Sequence, residues 1–207
     1  GAEKFLDIKC RLAKLCPDAV VIVATVRALK MHGGLKKTAL DKVDMAALEE
    51  GMENLEKHIE NVQKFGLPAV VAVNAFPTDT KEELDFVEKK CRELGAEVAL
   101  SEVWAEGGKG GFALAEKVEN AIERENNFHV LYDEETRIPE KIDTIVREVY
   151  GGKGVIFTAA AKKQLAEIEE LGLDKMPICM AKTQYSLSDN PELLGRPTNF
   201  TVTVREL

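Results

Sequence analysis

Apolar runs alternate with amphipathic segments along most of the chain. Residues 19–26 are apolar at almost every position, a pattern typical of a strand buried on both faces of a parallel sheet. Apolar side chains then recur every three or four positions over residues 45–62, which predicts a long amphipathic helix. Gly66 and Pro68 follow as helix-ending residues, and Ala69–Asn74 is a second apolar run. This order predicts a strand–helix–strand unit.

The same alternation continues towards the end of the chain. Thr80 and Glu83 have the spacing of a capping box, which predicts a helix start. Further strands are predicted at residues 97–100 and 155–158 and in the alternating segment after Phe200, and a hairpin or linker near residues 129–133. Further helices are predicted around residues 84–94, 114–122, 141–150 and 162–171. The polar stretch 183–199 is predicted to be a long loop.

These elements predict an α/β fold with a mostly parallel sheet and flanking helices, in layers like those of P-loop NTPase or Rossmann folds. A smaller C-terminal α/β segment is expected to follow. We place the first domain at residues 1–127 and the second at residues 128–207. The chain starts at an amphipathic pattern and stops just after a predicted strand, so we expect it to be cut at both ends.

Composition narrows the possible functions. The chain has 207 residues, 45% of them hydrophobic, and a formal net charge of -8, with no long basic run that could follow a phosphate backbone. We therefore do not expect nucleic acid to be a partner. Its apolar runs are too short for the roughly 20 residues of a membrane helix. The four cysteines are scattered and no signal peptide is visible, so we expect buried thiols in a cytoplasmic protein.

Two aromatic side chains follow predicted strands. Phe76 comes after Ala69–Asn74, and Trp104 comes after the next strand, beside a glycine-rich run that includes Gly107, Gly108 and Gly110. Ligands bind beyond the carboxyl ends of strands in open parallel sheets, so the two rings could clamp a flat heterocycle there. The alternative is that both rings seal loops onto the core.

The glycine-rich runs do not match a nucleotide-binding loop. Their backbone N–H groups could hold an anion, but the GxxxxGK[ST] spacing is absent, and flexible turns are the alternative. Asn74 and Asp79 resemble the base-reading strand end of nucleotide-binding proteins, and an Asx turn that enters the helix is again the alternative.

Cationic side chains follow the first strand. Arg27 and Lys30 could hold a carboxylate or a phosphate group. We expect His32 to be an exposed loop residue, because no nucleophile or carboxylate partner is visible near it. The three histidines show no metal-ligand spacing, so no metal site is predicted.

Several strings of the chain are long and specific. The longest is VATVRALKMHGG at residues 23–34. The others are GAEKF (1–5), VAVNAFPTD (71–79), WAEGGKG (104–110), MAKTQYS (180–186) and RPTNF (196–200). In content and order they resemble one enzyme family, formate–tetrahydrofolate ligase, and the resemblance covers essentially the whole chain.

The resemblance implies an ATP-dependent reaction. Formate attacks the γ-phosphate to give formyl phosphate, and N10 of tetrahydrofolate takes the formyl group. It further implies Mg²⁺ with the ATP, activation by a monovalent cation, and a homo-oligomer, commonly a tetramer. The family's pterin sandwich corresponds to Phe76 and Trp104, with Pro77 and Leu100 beside them.

The sequence also departs from the family. The family's phosphate loop is not found in these residues, so we expect half of the folate site and no ATP turnover by this chain alone. Two other functions stay open at this point: a non-catalytic assembly or folding unit, and a different nucleotide-using α/β enzyme.

Overall fold

The computed structural model describes residues 1–207, which form two compact units. One unit is Pro17–Phe128, and the other combines Gly1–Cys16 with His129–Leu207. The helices are α1 Ala2–Lys4, α2 Arg11–Ala13, α3 Val26–His32, α4 Met45–Lys64, α5 Lys81–Glu93, α6 Val103–Glu106, α7 Phe112–Ile122, α8 Ile138–Thr144 and α9 Ala159–Glu170. The strands are β1 Val20–Ala24, β2 Ala69–Asn74, β3 Glu97–Ser101, β4 Gly154–Phe157 and β5 Thr201–Val204.

Shorter helical segments complete the list. Phe5–Cys10 and Ile145–Tyr150 are π-helical, and Lys37–Ala39 and Gly107–Gly111 are 3₁₀-helical. The two compact units are defined by packing, and they group residues 1–16 with the C-terminal part of the chain. The division into domains after residue 127 stays a prediction.

The unit Pro17–Phe128 contains a three-stranded parallel sheet in the order β1-β2-β3. The central strand β2 is buried at every position up to Val73, because it has a strand on each side and helices above and below. Helix α4 packs against β1 and β2, and α7 packs against β2 and β3. The predicted α/β fold with a parallel sheet is confirmed.

The first strand differs from its prediction. We expected β1 to be buried on both faces, but Val21 and Val23 are 42% and 69% exposed. The strand lies at the edge of the sheet, and its register aligns Val21 with Val70 and Glu97. Lys117 of α7 pairs with Glu97 at 3.2 Å, so α7 covers this face over β2 and β3 rather than over β1.

The second unit holds a two-stranded parallel sheet of β4 and β5. Its core is formed by α8, the π-helical turn after it, β5 and the buried side chain of Tyr132. Residues 129–133 form no hairpin. They are instead fixed to the N-terminal helix, where Asp7 accepts the Leu131 N–H at 2.9 Å and Arg11 donates to the Tyr132 carbonyl.

The four cysteines are free thiols. We expected all of them to be buried, and this is correct for Cys10 and Cys91 but wrong for Cys16 and Cys179, which are exposed. None of the helices has both the length and the hydropathy that a membrane span requires.

Candidate functional site

The carboxyl ends of β2 and β3 lie side by side. Asn74 pairs with Ser101 in the register of the two strands, and the Ala75 N–H donates to the Ser101 carbonyl at 3.2 Å. Parallel strands bring their following loops to one edge of the sheet. The loop that starts at Ala75 and the helix α6 that follows β3 therefore leave the sheet as neighbours.

A closed turn carries Phe76. The Phe76 N–H donates to Asp79 Oδ2 at 2.9 Å, and the Asp79 N–H donates to the Phe76 carbonyl at 2.9 Å. The N–H and the carbonyl oxygen of Phe76 are thus both hydrogen-bonded. The Asp79 side chain closes this turn from its end, and it is Thr80, not an Asx turn at Asp79, that caps the following helix.

The helix after this turn is anchored by a buried ion pair. The predicted capping box is confirmed, because Thr80 and Glu83 exchange hydrogen bonds at the start of α5. The second oxygen of Glu83 accepts a hydrogen bond at 2.9 Å from Lys30 Nζ, which also donates to the Lys42 carbonyl at 2.8 Å. Lys30 and Glu83 are almost completely buried.

Charge on the Glu83 carboxylate is favoured by this arrangement. Burial raises the pKa of Glu83, but the hydrogen bonds from Lys30 and Thr80 outweigh burial, and the pKa lies below its ordinary value. Lys30 is therefore committed to Glu83. It is not available to a ligand, contrary to one of the two cation assignments made from the sequence.

Trp104 lies at the surface in α6. Its side chain is 61% exposed, and its indole Nε1–H donates to the Ala75 carbonyl at 2.9 Å. The alternative that Trp104 seals a loop onto the core does not fit this exposure. The hydrogen bond fixes one edge of the indole beside the residue that precedes Phe76, while much of the ring stays open to solvent.

The glycine-rich run after Trp104 is a 3₁₀-helix and not a flexible turn. Gly110 packs against the Glu102 backbone so closely that an added Cβ would lie 2.5 Å from its carbonyl carbon. Gly108 has open space around it, as has Gly107, whose φ of 60° favours glycine. Close packing therefore explains why position 110 is a glycine, whereas the open space at Gly107 and Gly108 leaves room near Trp104.

The remaining predicted contacts lie on the same two connections. Pro77 is exposed in the turn after Phe76, and Leu100 is half-buried near the end of β3. The sequence-predicted site residues thus all follow or end neighbouring strands of one unit. Their role in ligand binding stays a prediction.

Arg27 is the residue that sequence reasoning did not connect with Phe76. Its guanidinium carbon lies 5.6 Å from the centroid of the half-buried Phe76 ring. The contact arises because β1 ends at Ala24, two residues before the predicted end, and α3 starts at Val26. From the sequence, only the expected pairing of β1 with β2 could have predicted that Arg27 and Phe76 lie close together.

His32 differs from its prediction. It is the last residue of α3 and half-buried, not an exposed loop residue, and burial lowers its pKa below the ordinary value. A lowered pKa disfavours the protonated imidazole of His32, which fits a packing role for this side chain.

The second unit contains a groove of about 920 Å³. Ile142, Ile168, Met180 and Val204 contribute to its apolar lining. None of the predicted site residues lies there. All of the predicted site residues lie in the unit Pro17–Phe128.

Taken together, these features define the class of the protein as α/β with a parallel sheet, and its candidate ligand site has an exposed aromatic residue and a glycine-rich segment beyond adjacent strand ends. The particular family follows from comparison with known proteins. The family model described as formate–tetrahydrofolate ligase matches residues 1–207, and the chain belongs to this family. The family supports a function of the formate–tetrahydrofolate ligase type, and not that of an unrelated nucleotide-using enzyme.

Proposed function

We propose that Phe76 and Trp104 bind the pterin ring of tetrahydrofolate, with Pro77 and Leu100 beside it. The observation that carries the proposal is the fixed but exposed indole of Trp104, hydrogen-bonded to Ala75 next to the Phe76 turn. A ring held at one edge loses little freedom when a flat ligand stacks on it. The open space at Gly107 and Gly108 allows a ligand to approach the backbone closely.

The reaction that this site serves is the formation of 10-formyltetrahydrofolate. We propose that an oxygen of formate attacks the γ-phosphate of Mg²⁺-bound ATP, which gives formyl phosphate and releases ADP. This activation is needed because a bare carboxylate has no adequate leaving group. N10 of the bound tetrahydrofolate then attacks the formyl carbon, and phosphate leaves. The aromatic pair contributes by orienting the pterin, which brings N10 to a fixed position.

Residues 1–207 alone are proposed to hold the folate side of the reaction only. They contain no GxxxxGK[ST] loop to cradle a triphosphate. We therefore expect no formate-dependent ATP hydrolysis by this chain above a buffer blank. A cytoplasmic location, a homotetramer and a monovalent-cation requirement are further proposals that come from the family resemblance.

The fluorescence of Trp104 tests the proposal, because it is the only tryptophan. Stacking of a pterin on the indole should quench its emission saturably as tetrahydrofolate is added. Phe112, 70% exposed at the start of α7, offers a matched control, because its change to alanine removes an exposed aromatic ring that the proposal does not assign to the pterin. Unchanged emission throughout the titration, with no heat of binding, would contradict the proposal.

One observation favours a second function, self-assembly of this chain. The edge strand β1 exposes Val21 and Val23 and has a free backbone edge, which is a template for pairing with another strand. Size-exclusion chromatography of the chain and of a Val23→Lys variant measures this. A monomer at all concentrations would exclude it.

A further inference from the structure

Two cationic side chains follow β1 in α3. Lys30 and Arg27 lie three residues apart in α3, and the sequence gives them equal standing as anion-binding groups. The structure separates them. Lys30 is neutralised by Glu83, whereas Arg27 has no carboxylate partner in an ion pair.

The Arg27 guanidinium is also short of hydrogen-bond partners. Its Nε–H is buried and donates to no acceptor of the chain. A buried donor without an acceptor is unfavourable, and such groups are uncommon in folded proteins unless a ligand or water satisfies them. The cost is larger for a charged donor, which points to an acceptor that the chain itself does not supply.

The position of Arg27 links this donor to the aromatic site. The guanidinium lies over Phe76, whose turn is closed by Asp79 and anchored through Thr80 and Glu83 to Lys30 of the same helix. This circuit of contacts fixes Arg27 and Phe76 relative to each other. An arginine held over an aromatic ring keeps its planar N–H donors free for an oxyanion.

We propose that Arg27 binds an oxyanion of the ligand that occupies the site at Phe76, either a carboxylate or a phosphate group. The inference rests on the proposed function, because it assumes that the ligand stacks at Phe76. The inference adds a specific charge contact to the proposed function. Tetrahydrofolate carries carboxylates on its glutamate tail, and ATP carries phosphates, so both substrates offer the required chemistry.

Ligand pairs that differ in their anion distinguish the two sources. Calorimetry is carried out with tetrahydrofolate, with 6-methyltetrahydropterin, which carries no carboxylate, and with ATP, on the unchanged chain and on Arg27→Met. Loss of one charge-assisted hydrogen bond should weaken the affected ligand by about tenfold or more. Arg92→Met is the matched control, because it removes an exposed arginine that already pairs with Glu88 at 2.6 Å.

The outcomes separate clearly. Weaker tetrahydrofolate binding with unchanged 6-methyltetrahydropterin binding assigns Arg27 to a carboxylate of the glutamate tail, and weaker ATP binding assigns it to a phosphate. An equal loss for both pterin compounds with unchanged ATP binding would contradict the proposal, because Arg27 would then act through the Phe76 ring. Unchanged affinity for every ligand would contradict it too.

A further measurement keeps the inference separate from the proposed function. If the unchanged chain binds none of these ligands, the proposed function fails, and the Arg27 Nε–H signal in an ¹⁵N NMR spectrum still reports on the anion site. The signal is assigned by its loss in Arg27→Lys. Saturable shifts with inorganic phosphate or glutarate, but not with chloride at equal ionic strength, support the inference, and their absence overturns it.

Discussion

At the residue scale, the buried pair of Lys30 and Glu83 is the most tightly connected polar group of the unit Pro17–Phe128. Each partner is satisfied by further hydrogen bonds, from Thr80 to Glu83 and from Lys30 to the Lys42 carbonyl. A buried pair of this kind is costly to break, because removal of one partner leaves an uncompensated charge. The sequence could predict the capping box, but not that Lys30 completes it from 53 residues away.

The first prediction concerns this pair. Lys30→Met should lower the free energy of unfolding by about 3 to 5 kcal/mol, whereas the double change Lys30→Met with Glu83→Leu should recover part of the loss. Urea denaturation measures both. Lys81→Met, which breaks an exposed pair with Asp85, serves as the control and should change stability by less than about 1 kcal/mol. A single Lys30 variant as stable as the unchanged chain would refute the prediction.

Glu3 gives a second prediction at this scale. Burial, and then the neighbouring Asp7 carboxylate, raise the pKa of Glu3 from 4.5 to about 7. The folded chain thus holds a proton that the unfolded chain releases between these values. The contribution of Glu3 to stability should therefore decrease as the pH rises from about 4.5 to about 7.

The measurement is urea denaturation at several pH values across this window. Glu3→Gln, which has no proton to lose, should flatten the Glu3 contribution to the pH dependence. Glu49→Gln, a change at an exposed position, should leave the curve as it is in the unchanged chain. A Glu3→Gln variant whose stability follows the same pH curve would show that another group is responsible.

At the scale of elements, the sequence predicts helices and strands well wherever one local signal dominates. Ala69–Asn74 is found as predicted, because an apolar β-branched run between helix-ending residues and a turn has one interpretation. Helix α3 was missed, since the apolar run continues through Val26, and only the Thr25 cap on the Ala28 N–H separates strand from helix. The π-helical turns also have no period that the pattern could reveal.

Two glycines of the 3₁₀-helix Gly107–Gly111 differ in their surroundings and can be compared directly. Gly110 is closely packed, and Gly108 has open space around it. Gly110→Ala should destabilise the unit by about 1 to 3 kcal/mol, because the new Cβ would clash with the Glu102 backbone. Gly108→Ala meets no atom of the chain and should leave stability nearly unchanged. Thermal denaturation compares them.

The same pair also tests ligand approach. If tetrahydrofolate comes close to the backbone at Gly108, Gly108→Ala should weaken binding several-fold without loss of stability. A Gly110→Ala variant that melts at the temperature of the unchanged chain would contradict the packing account of this glycine.

At the scale of the whole molecule, the fold class follows from the alternation of strands and helices, and the family match to residues 1–207 agrees with it. The exposure of Val21 and Val23 did not follow, because an apolar strand pattern does not state which helix covers it. The assignment of residues 1–16 to the C-terminal unit depends on contacts such as Asp7 with Leu131, which are 124 positions apart. Such contacts leave no local signal in a sequence.

The candidate site shows the same limit. Phe76, Trp104 and the glycines were found because they follow predicted strands, and their clustering follows from parallel strand order. The hydrogen bond from Trp104 to Ala75 and the contact of Arg27 with Phe76 depend on loop geometry that no spacing rule supplies.

The most direct measurement of the central claim is the affinity of Trp104→Ala for tetrahydrofolate, determined by calorimetry together with its melting temperature. Because Trp104 is largely exposed, the account predicts a folded variant with a nearly unchanged melting temperature. Aromatic stacking contributes about 0.5 to 1.5 kcal/mol per pair, so binding should weaken several-fold, and Phe112→Ala should bind as the unchanged chain does. A stable Trp104→Ala variant with undiminished affinity, or one that loses about 3 to 5 kcal/mol of stability as a core residue would, contradicts the claim.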